Sequence, residues 1–108
     1  MSIAELRAGL ERRDAVVVLD VRSPAEFASG HIEGAVNVPL EALARYAGRL
    51  ARDAALVTVC GTGGGRAAKA ANTLRELGWS QVRWLCGGTR AWHGTDPAVV
   101  NRPNGAVA

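Results

Sequence analysis

The sequence predicts an α/β fold, an open parallel sheet with helices on both faces, and two observations predict it. The runs Ala15-Val16-Val17-Val18-Leu19 and Ala55-Leu56-Val57-Thr58-Val59 are close to continuously apolar rather than alternating, as in strands buried on both faces. Such runs alternate along the chain with segments of helical periodicity, the order that builds a parallel sheet from strand-helix-strand units. A chain of 108 residues is large enough for one domain with its own core.

Each element follows from local signals. Ser2 with Glu5 three positions later is a capping box, and Ile3, Leu6 and Leu10 continue at helical spacing. The first strand, Ala15 to Leu19, leaves Asp20, Val21 and Arg22 at its carboxyl end. Ser23-Pro24-Ala25-Glu26 is a second capping box with proline at the first helical position, Gly30 stops that helix, and His31 to Gly34 is a loop. Ala35 to Val38 is a short strand ended by Pro39, after which Leu40, Leu43, Ala44, Ala47 and Leu50 mark one helix face. The strand into Cys60 is followed by a helix from Ala67 to Leu77 with Gly78 as its stop, then a strand Val82 to Leu85 and a last helical turn Thr89 to His93. Pro97, Pro103, Asn104 and Gly105 mark a loosely held tail, so the organisation is a domain over 1–94 and a tail over 95–108.

Composition narrows the function. Hydrophobic residues make up 48% but aromatics only 5%, so the core is built from Ala, Val and Leu. Met1 to Leu10 carries Glu5 and Arg7 and no long apolar run, which predicts neither a secretory signal nor a membrane span and makes the cytoplasm the expected location. Two cysteines in that compartment are expected as thiols. The net charge is +3, but the basic residues are scattered among acids; this excludes a nucleic-acid partner and favours small anionic substrates.

Chemistry concentrates at Cys60. It closes an apolar strand and opens Gly61-Thr62-Gly63-Gly64-Gly65-Arg66, beyond which the helix begins. First-turn N–H groups of a helix have no internal partners, and the glycines let the backbone curl with its donors inward, so the loop is a candidate anion cradle. With the fixed charge of Arg66, this favours a nucleophilic thiolate. The alternative is a buried structural cysteine before an ordinary strand-to-helix turn. No Gly-Lys-Ser/Thr follows the glycines, which excludes a nucleotide-type phosphate loop. Two cysteines 26 positions apart and two distant histidines make no ligand cluster for an isolated zinc site. Asp20, Arg22, Cys60 and Cys86 all fall at strand carboxyl ends, where open α/β sheets bind ligands.

Several separated motifs carry a resemblance. Leu19-Asp20-Val21-Arg22-Ser23-Pro24-Ala25-Glu26-Phe27, Gly30-His31-Ile32 and Gly34-Ala35-Val36-Asn37-Val38-Pro39 resemble the leading signature of rhodanese-homology domains. Cys60 with Arg66, Leu77-Gly78-Trp79 and Leu85-Cys86-Gly87-Gly88 with Ala91-Trp92 resemble the remainder in order and spacing, over about residues 3 to 94. The resemblance implies a rhodanese-like fold and a sulfurtransferase in which Cys60 takes sulfane sulfur from thiosulfate or a similar donor, holds it as a persulfide and passes it to a nucleophilic acceptor. It implies Arg66 as the catalytic arginine, Gly61, Thr62, Gly63, Gly64 and Gly65 as substrate-binding residues, no metal or organic cofactor, and as partners a small anionic donor, a thiol or cyanide-like acceptor and a protein that accepts sulfur. Asp20, Arg22, Glu26 and His31 belong to the structural side of the signature, with Arg22 expected to pair with Glu26 and His31 to satisfy backbone groups near the turn; Arg22 is the exception counted among the substrate-binding residues, because it sits at a strand's carboxyl end.

Two departures stand out. The spacer Gly61 to Gly65 is one residue longer than in the family's sulfurtransferases and resembles that of its phosphatases and arsenate reductases, which leaves those activities, and a non-catalytic sulfur-relay or binding module, as alternatives. Against phosphatase chemistry, Val59 stands where those enzymes carry histidine, and the loop lacks their bulky and acidic residues. Cys86 replaces the acidic residue common before the double glycine; it reads either as a small apolar strand residue or as a resolving thiol for Cys60.

Overall fold

A sheet of four parallel strands in the order β2-β1-β3-β4 forms the centre of the molecule, from β1 (Val16–Asp20), β2 (Val36–Asn37), β3 (Ala55–Val59) and β4 (Val82–Trp84). The computed structural model describes residues 1–12, 15–61, 64–85 and 87–94. The expected tail, 95–108, lies outside the described residues.

Among the described residues the helices are α1 (Ile3–Glu11), α2 (Pro24–Ala28), α3 (Leu43–Ala47), α4 (Gly65–Glu76) and α5 (Gly88–Gly94). The two expected capping boxes are formed, with the Ser2 and Ser23 side chains accepting from the backbone N–H groups of Glu5 and Glu26. The helix expected from Leu40 to Leu50 is shorter. A 3-10 turn over Leu40–Ala42 follows Pro39, and only Leu43–Ala47 is α-helical, with Gly48 as its C-cap. Conversely, α4 starts at Gly65, ahead of the apolar pattern that begins at Ala67.

Strand alternation sorts the core into two layers. Leu19 and Leu56 pack with Leu43 and Ala47 of α3 and with Ala67, Ala70, Ala71 and Leu74 of α4. Val18, Val57 and Val59 pack on the other face with Leu6 of α1 and Trp92 of α5. Successive strand residues point to opposite faces, so the near-continuous apolar runs are what a sheet covered on both sides requires.

The connections place the site. From β1 the chain steps outward to β2, whereas from β3 it steps the other way to β4, so the direction of winding reverses between β1 and β3. That reversal opens a crevice at the strands' carboxyl ends. Asp20 pairs in register with Val59, so Val21 and Cys60 leave the sheet side by side.

Candidate active site

Cys60 continues β3 by one residue, and alternation turns it to the α3/α4 layer, where it is 1% exposed. The chain after it is anchored from below. The backbone N–H groups of Thr89 and Arg90, in the first turn of α5, donate to the carbonyl oxygens of Cys60 at 2.7 Å and of Gly61 at 3.0 Å. In a trans peptide the N–H lies opposite the carbonyl, so holding the Cys60 carbonyl against α5 turns the Gly61 N–H away from that helix. Gly88 permits this approach: it adopts a φ of +66°, and a Cβ there would sit 2.5 Å from the Cys60 oxygen and 2.8 Å from the Gly61 oxygen.

The other end of the loop is set by α4. Gly64, its N-cap, has a φ of +148°, and a Cβ on it would lie 2.2 Å from the Trp84 ring. Both conformation and packing therefore demand glycine at Gly64, whereas Gly65 has open space around it. Thr58 in β3 fastens the first turn of α4 by donating its buried hydroxyl to the Ala67 carbonyl at 2.7 Å. Arg66 is thus the second residue of a helix held against the sheet rather than part of a free loop.

Its guanidinium reaches Glu26 in α2. Nη1 donates to Oε1 and Nη2 to Oε2, each at 3.1 Å, and the two side chains are 45% and 42% exposed. Both groups border the loop, because a Cβ on Gly61 would lie 3.5 Å from Arg66 Nη2 and 3.9 Å from Glu26 Oε2. The Arg66 hydrogen bonds, with a further contribution from the Ser23 backbone N–H, hold the Glu26 carboxyl down at about 2. The same pairing raises the Arg66 guanidinium, with a smaller contribution from the charge of Cys60.

Arg22 is placed differently from its expected pairing with Glu26. Its Nε donates to both Asp20 carboxylate oxygens at 2.9 and 3.2 Å, and Nη2 donates to Asp20 Oδ2 and to the Gly30 carbonyl, each at 2.7 Å. Asp20 is fully buried and the Arg22 side chain is 8% exposed, so the guanidinium is raised chiefly by its hydrogen bonds to Asp20. Only the stem approaches the loop, with Cδ 3.7 Å from a Cβ on Gly61. An arginine expected among the substrate-binding residues has its fork turned into the scaffold. Asn37 completes that scaffold by donating to the Asp20 and Arg22 carbonyls at 3.1 and 3.0 Å. His31 satisfies the backbone as expected: Nδ1 donates to the Phe27 carbonyl at 2.8 Å, and its ring stacks on that of Phe27.

Of the expected site residues, the structure places Cys60, Gly61, Gly64, Gly65 and Arg66 at the junction of β3 and α4, with the Arg66 guanidinium beside Gly61. Thr62, Gly63 and Cys86 lie outside the described residues. Reading the sequence missed two contributors, the Glu26 partner of Arg66 and the α5 first turn that grips the Cys60 and Gly61 carbonyls. Among the described residues no cluster of three His, Cys, Asp or Glu side chains could hold a metal ion, and no helix is long and apolar enough to cross a membrane.

A thiol at the switch point of a parallel sheet, followed by a glycine-rich segment that leads to a helix bearing an arginine, defines a cysteine-loop α/β domain. The rhodanese-like domain model matches residues 2–95, and the chain belongs to that family. It is 41% identical over 78 residues to the thiosulfate sulfurtransferase GlpE of Shewanella oneidensis, covering 72% of this chain and 76% of that protein. Its fold is similar to that of the human single-domain sulfurtransferase TSTD1, with a TM-score of 0.79, 29% identity and coverage of 89% of this chain and 96% of the other. RPA3614 of Rhodopseudomonas palustris, described as a protein of unknown function and possible tyrosine phosphatase, superposes with a TM-score of 0.76 at 26% identity, over 86% of this chain and 77% of that one.

Proposed function

We propose that the protein is a sulfurtransferase that carries sulfane sulfur on Cys60, with thiosulfate or a similar small anion as donor and a thiol, a cyanide-like nucleophile or a sulfur-accepting protein as acceptor. The observation that carries this reading is the placement of Cys60 at the carboxyl end of β3, with its own and the Gly61 carbonyl held by α5 and the Arg66 guanidinium beside Gly61. The likeness to GlpE supports the choice of chemistry.

In this mechanism the donor's oxyanion binds the Arg66 fork by charge-assisted hydrogen bonds. The Cys60 thiolate attacks the outer sulfur of thiosulfate, the sulfur–sulfur bond of the donor breaks, and sulfite leaves with the electron pair. Loop N–H groups, among them that of Gly61, stabilise the resulting persulfide anion. Cyanide or an acceptor thiolate then attacks the outer sulfur, and the Cys60 thiolate departs ready for another cycle. No external oxidant or reductant enters when cyanide is the acceptor.

The five-residue spacer, together with the description of RPA3614, supports a second reading in which the loop holds phosphate or arsenate. Phosphatase chemistry needs a positioned acid to protonate the leaving oxygen. Glu26, held at about 2, is ionised at neutral pH, and Asp20 is engaged by Arg22. Among the described residues this leaves no carboxyl group at the loop suited to that role, which favours sulfur transfer. Parallel assays of thiocyanate formation and aryl phosphate hydrolysis test the choice: the first activity should be present and lost in Cys60→Ser, the second negligible. Efficient hydrolysis with no thiocyanate would reverse the assignment.

A further inference from the structure

The arginine that should receive the donor already holds an anion. Glu26 engages Arg66 through both outer nitrogens, and two oxygens on one carbon offer the same fork that two oxygens of a sulfonate or phosphate would use. The carboxylate is built into this position. Glu26 Oε1 also accepts from the backbone N–H and the hydroxyl of Ser23, at 3.2 and 3.1 Å, so the α2 cap aims it at an arginine 40 residues away. The pair borders Gly61, the first residue of the loop, and both partners are nearly half exposed, so a ligand can displace the carboxylate into water.

We infer that Glu26 is a resident competitor for the anion site and thereby determines donor specificity. An oxyanion must displace it to reach the Arg66 fork, whereas an uncharged sulfane donor has no need to. Glu26 thus weakens capture of thiosulfate and of unreactive anions such as sulfate and phosphate alike, and keeps the cradle open. The statement about donors rests on the sulfurtransferase reading; the statement about anion binding does not.

Glu26→Gln is the discriminating variant, because glutamine at this position retains the capping box and removes only the charge. Two constants are measured on the full chain: the sulfate concentration that half-protects Cys60 from alkylation by neutral iodoacetamide, and the KM for thiosulfate. Both should fall by about two- to fivefold, the range associated with exposed ion pairs, with the change falling on KM rather than kcat. Turnover with an uncharged organic trisulfide donor should respond less than turnover with thiosulfate. Unchanged or weaker sulfate protection would overturn the inference, since a carboxylate that merely steadies Arg66 would weaken binding when removed. Tighter sulfate protection in a protein without sulfurtransfer would sustain the competitor role and sink the sulfurtransferase reading instead. Should Glu26→Gln fail to fold, Glu26→Asp draws the carboxylate back from Arg66 and must move sulfate protection in the same direction; no movement there overturns the inference equally.

Discussion

Two arginine–carboxylate pairs lie at the same end of the sheet, and solvent separates their roles. Asp20–Arg22 is buried, its side chains 0% and 8% exposed, and Arg22 Nη2 also donates to the Gly30 carbonyl. Glu26–Arg66 is also bidentate, end-on through Nη1 and Nη2 where Arg22 uses Nε and Nη2, but is 42% and 45% exposed beside Gly61. A buried pair is costly to break because the surviving charge has no water to turn to. An exposed pair exchanges its partner readily, which is what a binding site for a passing anion requires. The same chemistry is therefore scaffold in one place and a candidate site in the other.

The contrast is broken most severely at Asp20. Asp20→Ala strands the Arg22 charge in the interior and should cost about 3–5 kcal/mol of stability, read as a large drop in the urea midpoint. A loss below about 1 kcal/mol would mean that the two pairs are energetically alike. Arg66→Ala should behave in the opposite manner. Its unfolding midpoint should barely move, while kcat/KM for thiosulfate falls about tenfold to several hundredfold, with Arg66→Lys recovering only part. Unaltered kinetics in both variants would remove Arg66 from the site.

Neighbouring glycines sharpen the same distinction between scaffold and loop. Gly64→Ala forces a Cβ into the Trp84 ring at a positive φ and should destabilise by about 1–3 kcal/mol. Gly65→Ala meets no neighbour and should be neutral or stabilising by about 0.4–1 kcal/mol, provided its helical φ and ψ are kept. Equal thermal midpoints for the two would contradict the packing described for Gly64.

The smallest effect concerns acid. Glu26 titrates at about 2 in the folded protein against an ordinary value of 4.5, so its ionised form favours the fold. That contribution is complete above about pH 4.5 and disappears as pH falls towards 2. The stability difference between the parent and Glu26→Gln should accordingly shrink across that window. A constant difference from pH 7 to 2 would mean that Glu26 and Arg66 do not pair in solution.

How much of this was legible depended on distance along the chain. The strand Ala55–Val59 and the strand-loop-helix path from Cys60 to Arg66 are local, and the apolar run with its glycines marks them directly. The start of α4 was hidden because Gly65 is a poor helix former; a tertiary bond from Thr58 to Ala67 holds the first turn in place. The pairing of Arg22 with Asp20 had a readable signal, since residues two apart on an extended chain share a side. Glu26 gave only its capping role, because its contact with Arg66 joins side chains 40 residues apart in sequence. The α5 grip on Cys60 and Gly61 likewise joins segments far apart in sequence.

The central claim, that Cys60 is the sulfur carrier, is tested most directly by intact mass after exposure to thiosulfate. The parent should gain about 32 Da, one sulfur atom located on the Cys60 peptide, and lose it on addition of cyanide as thiocyanate appears. Cys60→Ser should gain nothing. A parent that stays at its starting mass, or a Cys60→Ser variant that still forms thiocyanate at the parental rate, would contradict the account.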